Sequence, residues 1–294
     1  MKKILLIGKS GQLGSEIIKD ASIFGFEIFS FNKEDLNVTN KLQIKEKIKE
    51  IKPDILINTS AYHVVSMCEK NPLAAMAVNF IAVRDLAIIC KENNVIFVTY
   101  STDYVFDGEK GTPYEENDIP NPLQIYGISK LAGEYAALNS YSEGIFIIRT
   151  CGLYGGEKGS PEKGGNFVLN IIEEARNKKI IEVSSEQIVS PTYAGDLSKT
   201  VLKLLNSKAE PGIYHLVNEG YCSWYEFTKV IFQLAKIDKE IKPVDRSASD
   251  NKMKRPKFSA LKNKKAKSLG IELPTWQDGL RSYFDFLNYN ESKN

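Results

Sequence analysis

Short hydrophobic runs and longer stretches of helical spacing alternate along the first half of the chain. The runs of strand length are residues 4–7, 26–31, 55–58, 95–100 and 145–149. The stretches with apolar residues at helical intervals are residues 12–21, 42–51, 72–90 and 129–138. Strands separated by helices of this length are joined by right-handed crossovers, which pair the strands in parallel. The pattern therefore predicts an α/β fold in which a doubly wound parallel sheet is covered by helices on both faces.

The second half of the chain has a less regular pattern. A glycine-rich loop at residues 152–165 precedes a helix that starts at Asn166, and residues 213–217 again have the pattern of a strand. We therefore predict a second, smaller unit after the first sheet. The predicted boundaries are a first domain at 1–150, with a return of the chain around 183–217, and a C-terminal lobe at 151–182 and 218–294.

Composition excludes several classes of function. Lys and Arg number 39 against 37 Asp and Glu, a net charge of +2, so no sequence-wide field draws this chain to nucleic acid or to an anionic membrane. The apolar run before Gly8 is too short for a signal-peptide core, and no later run approaches the ~20 residues of a membrane span. We expect a cytoplasmic protein whose partner is a small molecule.

The cysteines and histidines do not form a metal-binding pattern. The four cysteines include no C-x-x-C pair, and the two histidines lie far apart in the sequence. Cysteines in this arrangement are typical of free thiols in a reducing compartment. No pair of these residues has the spacing of zinc ligands, so we predict no metal site.

A glycine triplet with the pattern G-x-x-G-x-x-G lies between the first predicted strand and the first predicted helix. Bare backbone at such a turn lets a pyrophosphate approach the unpaired N–H groups at the start of the helix. The spacing is typical of short-chain dehydrogenases/reductases, so we predict that residues 1–150 form a Rossmann-type NAD(P)-binding domain. The predicted cofactor-binding residues of this loop are Gly8, Ser10, Gly11, Gln12, Leu13 and Gly14.

The end of the second strand usually identifies the dinucleotide. An acidic residue there binds the ribose 2′-hydroxyl, whereas a basic residue accommodates a 2′-phosphate. Here residues 31–33 end with a cation at Lys33, and no carboxylate precedes Glu34. Lys33 therefore favours NADPH, with NADH as the alternative cofactor and a solvated lysine as the alternative explanation. Asn37 and Val38 are candidates for contacts beside the adenine.

A Tyr126-x-x-x-Lys130 pair places the lysine on the tyrosine's face of a predicted helix. A free phenol has a pKa of ~10. A neighbouring ammonium, together with the positive charge of an oxidised nicotinamide, favours the phenolate, so we expect them to bring the pKa of Tyr126 into a range useful for acid–base chemistry. Ser101 and Thr102 end the preceding strand, where ligands of open α/β sheets collect. Either hydroxyl can donate a hydrogen bond to a substrate carbonyl oxygen, where charge develops as a hydride arrives.

Five segments together resemble the dTDP-4-dehydrorhamnose reductase family, a branch of the extended short-chain dehydrogenases/reductases. They are the glycine triplet, Ser-Thr-Asp-Tyr-Val-Phe-Asp-Gly at 101–108, Tyr-Gly-x-x-Lys-Leu-x-Gly-Glu at 126–134, Ser-Pro-Thr at 190–192 and Arg-Pro-x-x-Ser-x-Leu at 255–261. The similarity extends over nearly the whole chain.

This resemblance implies the NADPH-dependent reduction of the 4-keto group of dTDP-4-dehydro-6-deoxy-L-mannose, the last step to dTDP-L-rhamnose. Thr102, rather than Ser101, would then polarise the ketone. Tyr126 would donate the proton, and Lys130 would tune the tyrosine and hold the nicotinamide ribose. The further residues that the resemblance implies are Tyr104 in the sugar pocket and Ala61 and Asn79 near the cofactor. A tight turn and helix packing are the alternative explanations for the last two.

Several positions depart from the family pattern. The family has a threonine and an aspartate where this chain has His63 and Ser66, and it has Ser-Trp where this chain has Cys151-Gly152. Loss of an indole from a sugar pocket would leave room, so the sugar, its stereochemistry or the nucleotide could differ from the family's. His63 and Gly152 are therefore candidate substrate-binding residues, with a partly buried structural histidine as the alternative for His63.

Two other functions fit the same residues. A nucleotide-sugar 4-epimerase uses the same Tyr/Lys pair with a tightly held NAD, although the missing acid at the end of the second strand argues against it. The regulatory beta subunit of methionine adenosyltransferase also resembles this family, so a non-catalytic NADP-binding subunit is the third hypothesis. Arg255 could meet the diphosphate of a nucleotide-sugar substrate or lie in an exposed loop, and the sequence leaves a homodimer open.

Overall fold

The structure, a computed structural model, describes residues 1–160, 164–245 and 253–291. Part of the predicted glycine-rich loop (161–163) and parts of the predicted C-terminal lobe (246–252 and 292–294) lie outside these residues. The strands are β1 (Lys2–Ile7), β2 (Phe26–Phe31), β3 (Ile55–Asn58), β4 (Ile96–Thr102), β5 (Ile145–Thr150), β6 (Leu153–Tyr154), β7 (Ile180–Ser184), β8 (Ile188–Val189), β9 (Thr192–Tyr193), β10 (Gly212–His215), β11 (Cys222–Ser223) and β12 (Glu240–Val244).

The helices cover the sheet with the most strands and also form much of the C-terminal part of the chain. They are α1 (Gln12–Ala21), α2 (Lys41–Ile51), α3 (Val65–Lys70), α4 (Pro72–Met76), α5 (Ala82–Glu92), α6 (Ile125–Tyr141), α7 (Phe167–Asn177), α8 (Ala194–Asn206), α9 (Trp224–Ala235), α10 (Lys264–Ser268) and α11 (Trp276–Glu291). A π-helical segment, Ala77–Ile81, joins α4 to α5.

The central sheet has six parallel strands in the order β10-β5-β4-β3-β1-β2. Because β1 lies between β2 and β3, the chain reverses its direction of progress across the sheet at β1, which is the topological switch of doubly wound folds. The predicted α/β fold with a Rossmann-type parallel sheet is confirmed.

Hydrophobic cores cover both faces of this sheet. Alternate residues of a strand point to opposite faces. Ile4 and Leu6 of β1 pack with apolar residues of α1 and α8, whereas Leu5 and Ile7 pack with those of α2, α5 and α6. This burial on both sides explains why the strands are nearly continuous apolar runs.

The second part of the chain returns to the sheet before it forms a core of its own. β10 pairs with β5 from Gly212 opposite Phe146 to His215 opposite Arg149. A separate cluster of buried residues, rich in aromatic side chains, then joins α7, α9 and α11. The division of the chain into a domain at 1–150 and a substrate-binding lobe stays a prediction.

Helix α6 begins at Ile125, earlier than the predicted start at residue 129. Its first turn is capped by Gln124, whose Oε1 accepts a hydrogen bond from the Gly127 N–H at 3.0 Å. Glu69 of α3 accepts from the Ile125 N–H at 2.7 Å. The apolar spacing predicted this helix only from residue 129, because a glutamine is not a preferred N-cap residue and a cap from another helix leaves no local sequence signal. The Tyr126-x-x-x-Lys130 spacing had placed Tyr126 on the same helix, and the structure confirms this.

One stretch of the chain is long and apolar enough to cross a membrane when judged by length and composition alone. This stretch, Pro72–Glu92, contains a window with a mean hydropathy of 1.9, and half of that window is buried inside the protein. The expectation that no apolar run approaches this length was therefore wrong. Its α5 part contributes buried residues to the core on one face of the sheet and packs against α6, as a core helix does.

A buried ion pair fixes α6 to the sheet. Arg149 of β5 donates to Glu134 of α6 through Nη2 at 2.6 Å and through Nε at 3.0 Å, and each side chain is only 2% exposed. The guanidinium also lies 5.2 Å from the ring centre of Phe106. Removing one partner of such a pair leaves an uncompensated buried charge, which costs more than the intact pair contributes.

We predict that Glu134→Gln destabilises the protein by roughly 3 kcal/mol, because Arg149 keeps its charge in a buried site without a counter-ion. The free energy of unfolding from urea titration measures this loss. Glu173→Gln is the matched control, since Glu173 pairs with Arg176 on an exposed helix face and its loss should have a much smaller effect. Equal losses in the free energy of unfolding for the two substitutions would contradict the special cost of breaking the buried Arg149–Glu134 pair.

Candidate active site

A cavity of about 460 Å³ opens at the carboxyl edge of the central sheet. Its wall includes residues at or just beyond the ends of β3, β4 and β5, together with the start of α1. A wider depression of about 680 Å³ lies at the opposite edge, lined by residues such as Lys2, Asp54 and Ile96. Since ligands of open parallel sheets bind at the carboxyl ends of the strands, the smaller cavity is the candidate site.

The glycine loop leaves one end of this cavity bare. Gly8 has φ +98°, and a Cβ on Gly14 would lie 2.1 Å from the Gly8 carbonyl oxygen, so neither position accepts a side chain. Gly11 lines the cavity and is the N-cap of α1, but no side chain caps that helix. The first N–H groups of α1 therefore face a space without a side-chain partner, which is the arrangement that binds a phosphate.

Buried polar atoms around the cavity also indicate that it binds a polar ligand. Gln12, Ser101 and Thr150 line it, and their Oε1, Oγ and Oγ1 atoms have no hydrogen-bond partner within the described ranges. Buried polar groups are normally paired, so a cluster of unpaired ones around one cavity indicates a polar ligand. The glycine loop and these atoms fit a dinucleotide that lies from the start of α1 to the ends of β4 and β5.

Thr102, Tyr126 and Lys130 all line the cavity. Burial raises the pKa of Tyr126, the nearby Asp103 carboxyl raises it further, and a hydrogen bond with Thr102 opposes these effects. Burial also lowers the pKa of Lys130 to about 8, against the opposing effect of Glu134. Desolvation is therefore the largest cause of both pKa shifts in the protein alone, and the expected effect of Lys130 together with an oxidised nicotinamide on the phenol stays a prediction.

Three candidate substrate-binding residues also line the cavity: His63, Tyr104 and Gly152. The ring of Tyr104 lies edge-on to that of Tyr126, with 6.1 Å between the ring centres. His63 is half-buried, and its Nε2 lies 3.1 Å from Ser160 Oγ in the glycine-rich loop. His63 thus links that loop to the wall of the cavity.

The cavity wall beside Gly152 comes from another part of the chain. A Cβ at this position would lie 3.4 Å from the Trp224 indole and 3.2 Å from the Pro191 backbone, and Gly152 has φ +54°. Trp224 itself lines the cavity and packs against Phe167 with 4.3 Å between the ring centres. Trp224 and Gly152 therefore lie side by side in the wall of the cavity, and the expectation that the missing indole leaves room stays a prediction.

The predicted cofactor-binding residues divide into two groups. Those that line the cavity are Gly11, Gln12, Leu13, Ala61, Tyr126 and Lys130. Those outside its lining are Gly8, Ser10, Gly14, Lys33, Asn37, Val38 and Asn79. Lys33 is exposed just beyond β2. Beside it, Lys9 of the glycine loop forms an ion pair with Asp35 at 3.1 Å, so two lysines and two carboxylates, Glu34 and Asp35, lie near the end of β2.

Asn79 lies behind the cavity wall in the π-helical segment. Its amide accepts a hydrogen bond from the Tyr62 N–H at 2.8 Å and donates to the Tyr62 carbonyl at 2.9 Å and to Ser129 Oγ at 3.0 Å. These bonds join the loop after β3 to α6. Asn79 therefore supports the positions of cavity residues on both elements.

Sequence reasoning missed several residues of the cavity. Asp103 lies in the 101–108 motif, from which no role is predicted for it, and Cys151 is only one of the departures from the family pattern. Trp224 and Phe167 were not considered, because they lie far along the chain and nothing local marks them. Within the described ranges no group of three or more His, Cys, Asp or Glu residues could hold a metal ion. All four cysteines are free and buried.

Comparison with known proteins gives consistent matches along the chain. The family model described as "RmlD substrate binding domain" matches residues 1–288. The spore coat polysaccharide biosynthesis protein SpsK of Bacillus subtilis (strain 168) is 35% identical over 283 residues, which cover 96% of this chain and 97% of that protein. The dTDP-4-dehydrorhamnose reductase of Aggregatibacter actinomycetemcomitans is 34% identical over 295 residues, which cover 96% of this chain and 98% of that protein.

A solved structure has the same fold over nearly its whole length. The dTDP-4-dehydrorhamnose reductase from Bacillus anthracis str. Ames, crystallised in complex with NADP, gives a TM-score of 0.90 at 35% identity. The match covers 97% of this chain and 99% of that protein.

Two alanine substitutions in the glycine loop should separate folding from binding. Gly14→Ala places its methyl against the Gly8 carbonyl and should cost ~1–3 kcal/mol of stability. Gly11→Ala meets nothing closer than 3.4 Å, so it should fold nearly as well, but its methyl enters the cavity and should weaken dinucleotide binding. Thermal unfolding and fluorescence titration with NADPH and NADH measure the two effects. Unchanged dinucleotide binding by a folded Gly11→Ala protein would contradict the proposed binding of the dinucleotide by the glycine loop.

Proposed function

This chain belongs to the RmlD substrate-binding-domain family, and from that membership we propose that it is an NADPH-dependent reductase of a nucleotide-linked 4-keto-6-deoxy sugar. The finer proposal is the reduction of dTDP-4-dehydro-6-deoxy-L-mannose to dTDP-L-rhamnose in the cytoplasm. The similarity to SpsK supports a product used for polysaccharide synthesis.

The observation that carries this proposal is the arrangement of one cavity. Thr102 at the end of β4 and Tyr126 and Lys130 on α6 line the same space as the bare glycine loop. A dinucleotide held by that loop would therefore extend toward the three side chains. Gly11, Gln12 and Leu13 would hold its phosphates, and Lys130 would hold its ribose.

The chemistry divides between the cofactor and the side chains. Reduced nicotinamide supplies the hydride when it is bound. Tyr126 holds a proton at neutral pH because burial raises the pKa of its phenol, so it can donate that proton to the oxygen of the reduced ketone. The Lys130 ammonium favours the phenolate that remains. Thr102 donates a hydrogen bond to the same oxygen as charge develops there.

The cofactor preference is part of the proposal. Lys9 and Lys33 lie near the end of β2, where the 2′-phosphate of NADPH would be, although Asp35 already pairs with Lys9. NADPH is therefore the proposed cofactor and NADH the alternative.

The proposed sugar pocket combines polar and apolar groups. His63 and Tyr104 offer polar groups, whereas Trp224, which lies beside Gly152, packs against Phe167 as an apolar surface. A sugar with one deoxygenated carbon matches a pocket of this kind, because a methyl group can face the apolar surface while hydroxyls face the polar groups.

The direct test is a screen of nucleotide-linked 4-keto-6-deoxy sugars with NADPH and with NADH, with product stereochemistry determined by NMR. We expect oxidation of NADPH with a dTDP-linked substrate. Purification with stoichiometric NAD and no net oxidation of NADPH would instead support the epimerase hypothesis. A stable complex with another protein, with no turnover on any sugar, would support the regulatory-subunit hypothesis.

Tyr126→Phe should lower kcat by about 10²–10⁴-fold, because the phenol is the proposed general acid. Binding of NADPH should change little, since the ring remains in place. Stopped-flow kinetics and a cofactor titration measure the two quantities. Tyr135→Phe, an exposed position on the same helix, is the matched control. Wild-type turnover in Tyr126→Phe would reject the assigned acid.

Activity and stability should depend on pH in opposite directions through Lys130. The folded protein holds this lysine with a pKa of about 8, below its ordinary value of 10.5, so above about pH 8 the ammonium is lost and kcat/KM should fall. The folded state binds fewer protons than the unfolded state between these values, so stability should rise over the same interval.

The test compares wild type with Lys130→Met from pH 7 to 10.5. The variant should be more stable at pH 7, by roughly 3 kcal/mol at most, and this difference should shrink as the pH rises. Lys178→Met, which removes an exposed lysine, should show no such trend. A difference that is constant with pH would contradict the lowered pKa of Lys130.

A further inference from the structure

Asp103 is a buried carboxyl group next to the proposed reaction centre, and the mechanism above gives it no role. It follows Thr102 at the end of β4 and is 4% exposed. Among the described residues it forms no ion pair with a lysine, arginine or histidine. An ionised carboxylate in such a site would pay a large desolvation cost without a counter-ion, which favours the neutral acid.

The hydrogen bonds of Asp103 connect it to three neighbours. Its Oδ1 lies 3.0 Å from Thr102 Oγ1, and its Oδ2 accepts from Ser259 Oγ at 2.6 Å. The Cys151 thiol forms a further hydrogen bond to the carboxyl group. The titratable groups that face it are Cys151, Tyr104 and Tyr126, and burial raises the pKa of Asp103 above its ordinary value.

The single proton of Thr102 decides what this residue can do. Its hydroxyl already accepts a hydrogen bond from the Tyr104 N–H at 3.1 Å. If Asp103 were ionised, Thr102 would donate its only proton to that carboxylate and would have none for a substrate oxygen. If Asp103 is neutral, its own proton can be donated to Thr102, and the Thr102 proton is then free to point into the cavity.

We propose that Asp103 is a positioning residue: as a neutral acid it donates a hydrogen bond to Thr102 Oγ1, and Thr102 thereby directs its own proton at the substrate carbonyl oxygen. This inference rests on the proposed reductase function. Asp103 and Thr102 lose no proton in the reaction, because Tyr126 donates the proton that reaches the product oxygen. The hydrogen bonds of Asp103 and Thr102 only orient the Thr102 hydroxyl toward the substrate. Ser259 and Cys151 donate to the carboxyl group and so keep the donor of Asp103 turned toward Thr102.

The first test is spectroscopic and needs no substrate. The infrared difference spectrum of wild type minus Asp103→Asn, recorded on the whole protein at pH 7, should contain the carbonyl band of a protonated carboxyl group. Carboxylate bands in that difference spectrum would overturn the proposal. Because no ligand is present, this result does not depend on whether the proposed function is correct.

The second test is a double-mutant cycle on kcat. Thr102→Val and Asp103→Ala should each lower kcat by about a hundredfold, the usual effect of removing one donor to a developing oxyanion. The double variant should be no slower than Thr102→Val alone, because Asp103 acts through Thr102. Multiplied effects in the double variant would show that Asp103 acts separately and would overturn the proposal.

Asp103→Asn distinguishes positioning from support of the fold. Its amide oxygen can accept from Ser259 while its NH₂ donates to Thr102, as the neutral acid does. We expect it to recover kcat to within about tenfold of wild type, because a neutral donor is retained. If it is as slow as Asp103→Ala, a carboxylate is required and the proposal is wrong.

A control variant and the wild-type activity separate failure of this inference from failure of the proposed function. Asp20→Asn removes another buried carboxyl group, on α1 and outside the cavity lining, and should leave kcat unchanged. A wild-type protein that turns over no keto sugar would refute the proposed function, while the infrared result would still decide the state of Asp103.

Discussion

The six strands of the central sheet all run in the same direction, and the candidate site depends on this constraint. Parallel strands bring their carboxyl ends to one edge, so the segments after β1, β3, β4 and β5 meet there. The register places Thr102 directly opposite Thr150. The Arg149–Glu134 pair then fixes α6 against β5, which sets the position of the tyrosine and lysine over that edge.

Burial has opposite consequences for the groups around this edge. It keeps Tyr126 protonated, which suits a proton donor, but it also weakens the positive charge of Lys130. Glu134 lies one turn beyond Lys130 and favours its ammonium, although Arg149 shares that carboxylate. The same desolvation favours a neutral Asp103. The site therefore works with few full charges and relies on oriented hydrogen bonds.

The C-terminal part of the chain completes the site from a distance. Ser259 reaches Asp103, and Trp224 lies beside Gly152. A side chain at Gly152 would be strained by its positive φ and crowded by Pro191 and Trp224. The departure from the family pattern at this position is thus matched by the packing of residues that are remote in sequence.

Features with local causes could be predicted from the sequence. The glycine triplet marks a turn, the apolar runs predicted the strands, and the four-residue spacing of Tyr126 and Lys130 predicted one helix face. The apolar spacing misplaced the start of α6, because Glu69 and Gln124 supply the caps. The desolvation that raises the pKa of Tyr126 could not be predicted from the sequence, since spacing gives proximity to a lysine but not burial. The contacts of Asp103 and the wall beside Gly152 could not be predicted, because both depend on side chains that folding brings together from distant parts of the chain.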